Sequence, residues 1–284
     1  MPDLARARDF IYAVARLIDR LWFAQVFEGA AAEPVLAALA AYQNPDGGFG
    51  HGLEPDTRTP ASQPLNVEVA LQYMADVGAA EAGMVRRACD FLDRASAPGG
   101  GVPTLLPGFE AHAHAAHWRG YARAPDLVPN AGLVGLLYRL DIEHPWRERT
   151  AEWIWPRLKA EDLGAHDILS AALFLEHAPD RPRAQAAAAR LAAKLPSAAW
   201  FKPDASAEGY GLTPLWFAPM PDSFCRPRFE DAAIARDLDH LAAAQQADGG
   251  WPLSWDPPGP AAALEWRGVQ TIKALRTLRA YGRV

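Results

Sequence analysis

Near each end of the chain an apolar helical stretch runs into one and the same turn. Gln43, Asp46, Gly47, Gly48 and Phe49 align without a gap with Gln245, Asp248, Gly249, Gly250 and Trp251, and Leu39 and Leu241 stand at matching places before them. The physical reading is a helix that stops at an Asp-Gly-Gly turn, with glycine taking the left-handed conformation past the last helical residue. The glutamines are expected to satisfy free backbone groups at the helix ends, and the aromatic to cover the turn. A unit that recurs at this distance is a repeat, and repeats of paired helices bury their apolar faces on one another. Weaker copies are expected at Ser96–Gly101, Lys159–Gly164 and Lys194–Trp200.

The rest of the pattern is helical. Phe10, Val14, Leu17 and Leu21 follow a spacing of three and four. So do Val67, Ala70, Leu71 and Met74; Val85, Ala88, Cys89 and Leu92; and Leu133, Leu136, Leu137 and Leu140. Further helices are expected at about Ile168–His177, Arg183–Leu195, Asp231–Gln246 and Ala261–Tyr281. No period-two stretch of useful length competes, so the fold class is all-α, in one domain spanning residues 1–284. Five to six helix hairpins of about 50 residues fit the helical-repeat range and could close into a ring. Two long connections, about 97–127 and 196–226, interrupt the pattern and are rich in His, Trp and Tyr; connections of that length are often functional.

Half of the residues are hydrophobic, enough for a full core. The net charge of -6, without a Lys/Arg-rich block, argues against a nucleic-acid partner. Cys89 and Cys225 read as reduced thiols. The charged start of the chain shows no signal peptide, and the longest apolar runs are too short to span a bilayer. A cytoplasmic protein is expected, with contact at a membrane surface compatible with the sequence.

Gln43-x-x-x-Gly47-x-Phe49 and Gln245-x-x-x-Gly249-x-Trp251 resemble the QW repeats of squalene–hopene and oxidosqualene cyclases, and Asp46–Gly50 is similar to the glycine-rich repeats of protein prenyltransferase β subunits. The resemblance implies an α/α toroid, inner and outer helices around an apolar cavity, over essentially the whole chain. It departs from the family at Ala38 and His240, where an aromatic is usual, and at Asp237, where a small residue is usual. The chain also has the length of one toroid where the triterpene cyclases carry two.

The resemblance also implies a chemistry. Glu54-Pro55-Asp56-Thr57 is similar to the Asp-x-Asp-Asp acid motif of class II terpene cyclases in its first and third positions. Asp56 would then be the general acid and Glu54 would tune it, although Thr57 replaces the last Asp. Protonating an alkene requires a carboxylic acid kept protonated in a dry, ordered pocket. His51, Arg58, Trp118, Trp216, Trp251 and Trp255 are the residues expected around a small hydrophobic substrate, the aromatic faces stabilising positive charge. The bland readings are that Asp56 caps the following helix or pairs with Arg58, and that the tryptophans fill the core. No cofactor is expected; magnesium enters only with a diphosphate substrate.

His112, His114 and His117 raise the question of a metal, as do Asp222, Cys225 and His240 by residue type. Neither set has standard zinc spacing, and no metal site is expected. The reading is therefore acid-initiated cyclisation or isomerisation of a prenyl or terpenoid substrate. The alternatives are a toroid that binds a ligand or protein without chemistry and, ranked lower, an α/α-barrel carbohydrate enzyme.

Overall fold

The computed structural model describes residues 1–120 and 124–284; Tyr121, in the first long connection, falls outside them. Among the described residues the fold is all-helical, with isolated bridges and no strand. The helices are α1 (Leu4–Val14), α2 (Leu17–Glu28), α3 (Glu33–Ala40), α4 (Pro64–Val77), α5 (Ala82–Ala95), α6 (Leu127–Arg139), α7 (Pro145–Arg157), α8 (Ala165–His177), α9 (Arg181–Lys194), α10 (Pro214–Phe217), α11 (Asp231–Ala243) and α12 (Pro260–Ala280). None of them is long and apolar enough to cross a membrane.

Local signals set many of these boundaries. Proline opens α4 and α12, where a missing N–H costs nothing. Glu81 caps α5 by accepting from the Gly83 and Met84 amides. α2 and α4 end at Gly29 and Gly78 in the left-handed region. The three apolar stripes read from α4, α5 and α6 face the core, Leu140 at the end of α6 excepted.

Two sequence expectations change. The stripe from Phe10 to Leu21 is not one helix: Ala15 and Arg16 are extended and separate α1 from α2, leaving Leu17 66% exposed. Helix α7 escapes the pattern because charged residues alternate with its tryptophans and Pro156 sits in its last turn. It nevertheless buries Trp146, Thr150, Trp153 and Ile154 on one face.

Packing runs from α2 to α4, α4 to α6, α6 to α8, α8 to α10, α10 to α11 and α11 to α12. Helix α12 then packs on α1 and α2, which brings the two ends of the chain together. The remaining helices pack as α3 against α2 and α4, α5 against α4 and α7, α7 against α6, and α9 against α8.

The recurrent turn explains how neighbours are joined. At the first copy the Asn44 amide donates to Gly48 and the Gly47 amide to Asn44; at the second, Gln246 donates to Gly250 and Gly249 to Gln246. Asp46 and Asp248 each accept from the amide two residues on, at 3.0 Å. Gln43 Nε2 donates to the Gly47 and Met84 carbonyls, while Gln245 Nε2 donates to those of Gly249 and Asp3. Each glutamine thus ties its own turn to the start of another helix, α5 in one case and α1 in the other, and does not finish its own helix. Phe49 and Trp251 are both buried. The same backbone pair recurs at the weaker copy, with Ala97 donating to Gly101 and Gly100 to Ala97. The expected copies at 159–164 and 194–200 do not form this pair.

Gly47 has φ +88°, and a Cβ there would lie 2.3 Å from the Arg87 carbonyl oxygen; Gly249 repeats this against Arg6. Gly29 has a similar φ but open space around it. Gly29→Ala is therefore expected to cost only backbone strain, about 1 kcal/mol, and Gly47→Ala about 2–4 kcal/mol, because the α5 backbone must also move. Urea midpoints of the two variants check the difference.

Candidate functional site

The segment between the first turn and α4 is pinned from both sides. Arg16 sends its guanidinium under it: Nη1 donates to the Leu53 carbonyl at 2.8 Å and to that of Gly52 at 3.3 Å. The same guanidinium pairs with the fully buried Asp19 at 2.8 Å and donates to the Tyr73 hydroxyl, which in turn donates to Asp19. On the other side, Arg58 donates to the Ala113 carbonyl and Ala115 to that of Asp56, so the histidine-rich connection lies along the acid loop. From α4, Asn66 Oδ1 accepts from the Glu54 amide at 2.7 Å.

The loop folds both acids inward. Asp56 is 3% exposed and Glu54 is 5% exposed. Trp255 Nε1 donates to Asp56 Oδ2 at 3.0 Å and Trp266 Nε1 to Oδ1 at 2.9 Å. The two indoles meet nearly at right angles, with centroids 5.2 Å apart. His117 Nε2 stands 3.7 Å from Asp56 Oδ2 and keeps about half of its side chain exposed. Burial pushes the Asp56 carboxyl up to about 6, against the two indole bonds, which favour the anion. Glu54 is pushed up to about 8 by burial and by the Asp56 charge, with the Thr57 hydroxyl acting in the opposite direction. Burial lowers His117, so its imidazole is neutral at pH 7.

Next to this group, the Tyr210 hydroxyl and His166 Nε2 are 2.7 Å apart with their rings stacked, and Trp200 meets Tyr210 edge-on. Burial, with the Asp56 charge added, raises Tyr210, and burial, with His117 added, lowers His166. Trp200 and Tyr210 are exposed.

Of the residues expected at the site, Glu54, Asp56 and Trp255 come together. Arg58 forms a two-pronged ion pair with Glu265 of α12 and does not pair with Asp56. Asp56 does not cap α4 either, since Gln63 occupies that position. Trp118 packs on His117. His51 donates to Asn44 and belongs to the first turn. Trp251 turns into the core, its indole bonded to the Leu241 carbonyl. Trp216 is half-buried, and among the described residues no hydrogen bond or ring contact joins it to Glu54 or Asp56. His112, His114 and His117 do not converge, because His114 Nδ1 donates to the His112 carbonyl while His117 turns to Asp56. Among the described residues no group of three metal-ligating side chains forms, at Asp222, Cys225 and His240 or elsewhere.

Sequence reasoning missed Arg16 and His166, and it noticed Trp266 only as one of the tryptophans crowding the last third of the chain, without choosing it beside Trp255. Between α4 and α12 two polar contacts form: Gln72 donates to Asp76, and Arg276 reaches Asp76 at 2.8 Å. An apolar cavity of about 30 Å³ exists elsewhere, between α8 and α9, lined by Ile168, Leu191 and Phe217 among others. It does not include the acid loop.

No family model matches the chain, and no curated protein matches it. Among solved structures, the chain is similar to a protein from Actinoplanes known by its crystal structure. The two are 19% identical with a TM-score of 0.57, over 97% of this chain and 98% of that one. Likeness at this identity shows a shared fold.

The buried acids set a pH dependence. The unfolded chain releases the Asp56 and Glu54 protons from about pH 4 upward, whereas the folded chain holds them to about 6 and about 8. Stability is therefore full below the unfolded values and falls as pH rises through the folded ones. Denaturation midpoints should be higher at pH 5 than at pH 8.5, and Glu54→Gln should flatten the fall between pH 6 and 8.5.

Proposed function

We propose that the chain is an α/α toroid of the terpenoid cyclase and prenyltransferase kind, and that Asp56 starts a cyclisation or isomerisation of a prenyl or terpenoid substrate by protonating it. The architecture is supported by the duplicated turn, by its clamping of one helix hairpin to another, and by the return of α12 to α1 and α2. The chemistry rests on one observation: a buried carboxyl suspended from two indole N–H groups.

That arrangement fits proton delivery to carbon. Burial keeps the proton on Asp56 more of the time than water would. When the proton moves to an alkene carbon, the π pair forms the new C–H bond, and positive charge appears on the neighbouring carbon. The carboxylate left behind keeps its two indole hydrogen bonds, so it is stabilised where it forms. Trp255 and Trp266 meet at Asp56, and their faces would attract the cation, each by about 0.5–2 kcal/mol. Loss of a proton from the product closes the cycle, and His117, neutral and half-exposed, links Asp56 to solvent. Glu54, uncharged over most of the neutral range, adds little repulsion to the Asp56 anion.

A second reading has an observation in its favour: the exposed Trp200 and Tyr210 form an aromatic platform of the type that stacks on sugar rings. It ranks behind the first because Glu54 and Asp56 sit on one short loop. Glycosidase carboxyls face each other across the bond, about 5–9 Å apart.

The purified chain should convert one member of a C15–C30 prenyl series, and Asp56→Asn should reduce kcat at least about a hundredfold with a smaller change in KM. Product analysis by gas chromatography reads both. Unchanged turnover in the variant removes Asp56 as the acid, and no turnover with any substrate makes the protein a binding module.

A further inference from the structure

The end of α9 lies against the chain that leaves α7. Past Arg157, the Lys159 amide donates to the Pro156 carbonyl and the Ala160 amide to that of Arg157, so the chain makes a further turn before it departs. Lys194, in the last turn of α9, reaches this turn. Its Nζ donates to the Ala160 carbonyl at 2.7 Å and pairs with Glu161 at 2.8 Å. Between the two segments lies an open pocket of about 340 Å³, lined by Leu158, Lys159, Glu161, Arg190 and Lys194. A pocket of that volume has room for a small organic molecule.

The lining is electrically one-sided. Three of its five residues are cations and one is an acid, in a chain whose net charge is -6. Arg190 and Lys194 stand four residues apart on α9 and so share one face of it, where like charges repel. Glu161 compensates Lys194. The other two cations have no such partner: among the described residues neither the Lys159 nor the Arg190 side chain makes a hydrogen bond or an ion pair. Cations near a helix C-terminus also answer its dipole. At α7 that role is filled by Lys194, on the Ala160 carbonyl, whereas the Lys159 and Arg190 side chains bond to no carbonyl. Leu158, buried, adds an apolar surface to the pocket.

We propose that this pocket binds the phosphate monoester of a small organic molecule, with Arg190 and Lys159 on the phosphate and Lys194 held beside them by Glu161. Two uncompensated cations match a group that carries nearly two negative charges at pH 7. A carboxylate would leave one of them unanswered. The guanidinium fork takes two phosphate oxygens and the ammonium acts as a point charge on the third. A nucleic-acid backbone would require a stripe of cations in place of a single pocket. The less polar part of the molecule then lies on Leu158. The site goes beyond the proposed Asp56 chemistry and uses none of its residues.

Isothermal titration of the full chain with glycerol 3-phosphate, and with glycerol and acetate in parallel, tests this. Saturable one-to-one binding of the phosphate monoester is expected at pH 7.5, weaker by about tenfold or more in Arg190→Gln and in Lys159→Gln. Arg190→Lys should recover only part of the loss, because the fork is not restored. Binding should also weaken below about pH 6, where the ester takes up a proton and keeps a single charge. Arg86→Gln removes an exposed charge on α5 outside the pocket and should bind as wild type does. Asp56→Asn should do the same, so failure of this site and failure of the acid chemistry are read separately. Sedimentation with vesicles containing phosphatidic acid distinguishes a free ester from a lipid headgroup. No saturable binding up to about 10 mM, acetate binding as tight as the ester, or equal weakening in Arg86→Gln and Arg190→Gln overturns the proposal. So does capture by the vesicles without binding of the free ester.

Discussion

A carboxyl group taken out of water must be paired with a cation, hydrogen-bonded as an anion, or kept neutral. This constraint organises the interior. Asp19 is paired, by the Arg16 guanidinium; Asp76 is paired, by Arg276. Asp56 is hydrogen-bonded, by two indoles. Glu54 and Glu68 are kept neutral near pH 7 by burial. Each solution is local, and together they leave no buried acid of this set as an unpartnered anion.

The Arg16 pair shows how scaffold and site are one piece of physics. Its guanidinium is bound on one edge by Asp19 and spends its remaining N–H groups on carbonyls of Gly52 and Leu53 and on the Tyr73 hydroxyl. The acid loop is thus fixed by a buried cation whose removal would strand the Asp19 charge. A loop held at its backbone in this way leaves its side chains free for other partners. Asp56 can therefore hang from Trp255 and Trp266 while Arg58 reaches Glu265. Preorganisation of this kind is what a proton donor needs, because the groups that stabilise the conjugate base are in place before the proton leaves.

The proposed toroid adds a second consequence. Its turns pack glycine backbone on a neighbouring helix, with the α5 carbonyl of Arg87 and the α1 carbonyl of Arg6 in equivalent places. The first helix of the chain therefore stands where a following repeat would stand, and it covers the last one. The acid loop follows one of these turns and the Trp255 segment follows the other, so joining the chain ends also brings Asp56 to its indole partners.

Much of this was legible in the residues themselves. Helical spacing declared the class, because burying one stripe per helix requires apolar residues every three to four positions. The duplicated Asp-Gly-Gly declared the turns, since only glycine tolerates that left-handed backbone against a neighbour. The density of polar groups after Gly50 marked Glu54 and Asp56 for attention. What sequence could not decide is which partners meet across the fold. Arg58 lies two residues from Asp56 and pairs with Glu265, while Asp56 finds Trp266 from the far end of the chain. The break at Ala15 and Arg16 lies beside a buried ion pair that no periodicity reveals, and the pairing of Asp76 on α4 with Arg276 on α12 joins segments far apart in the sequence. Periodicity is a property of one segment; charge compensation is a property of neighbours, and only the tertiary structure chooses neighbours.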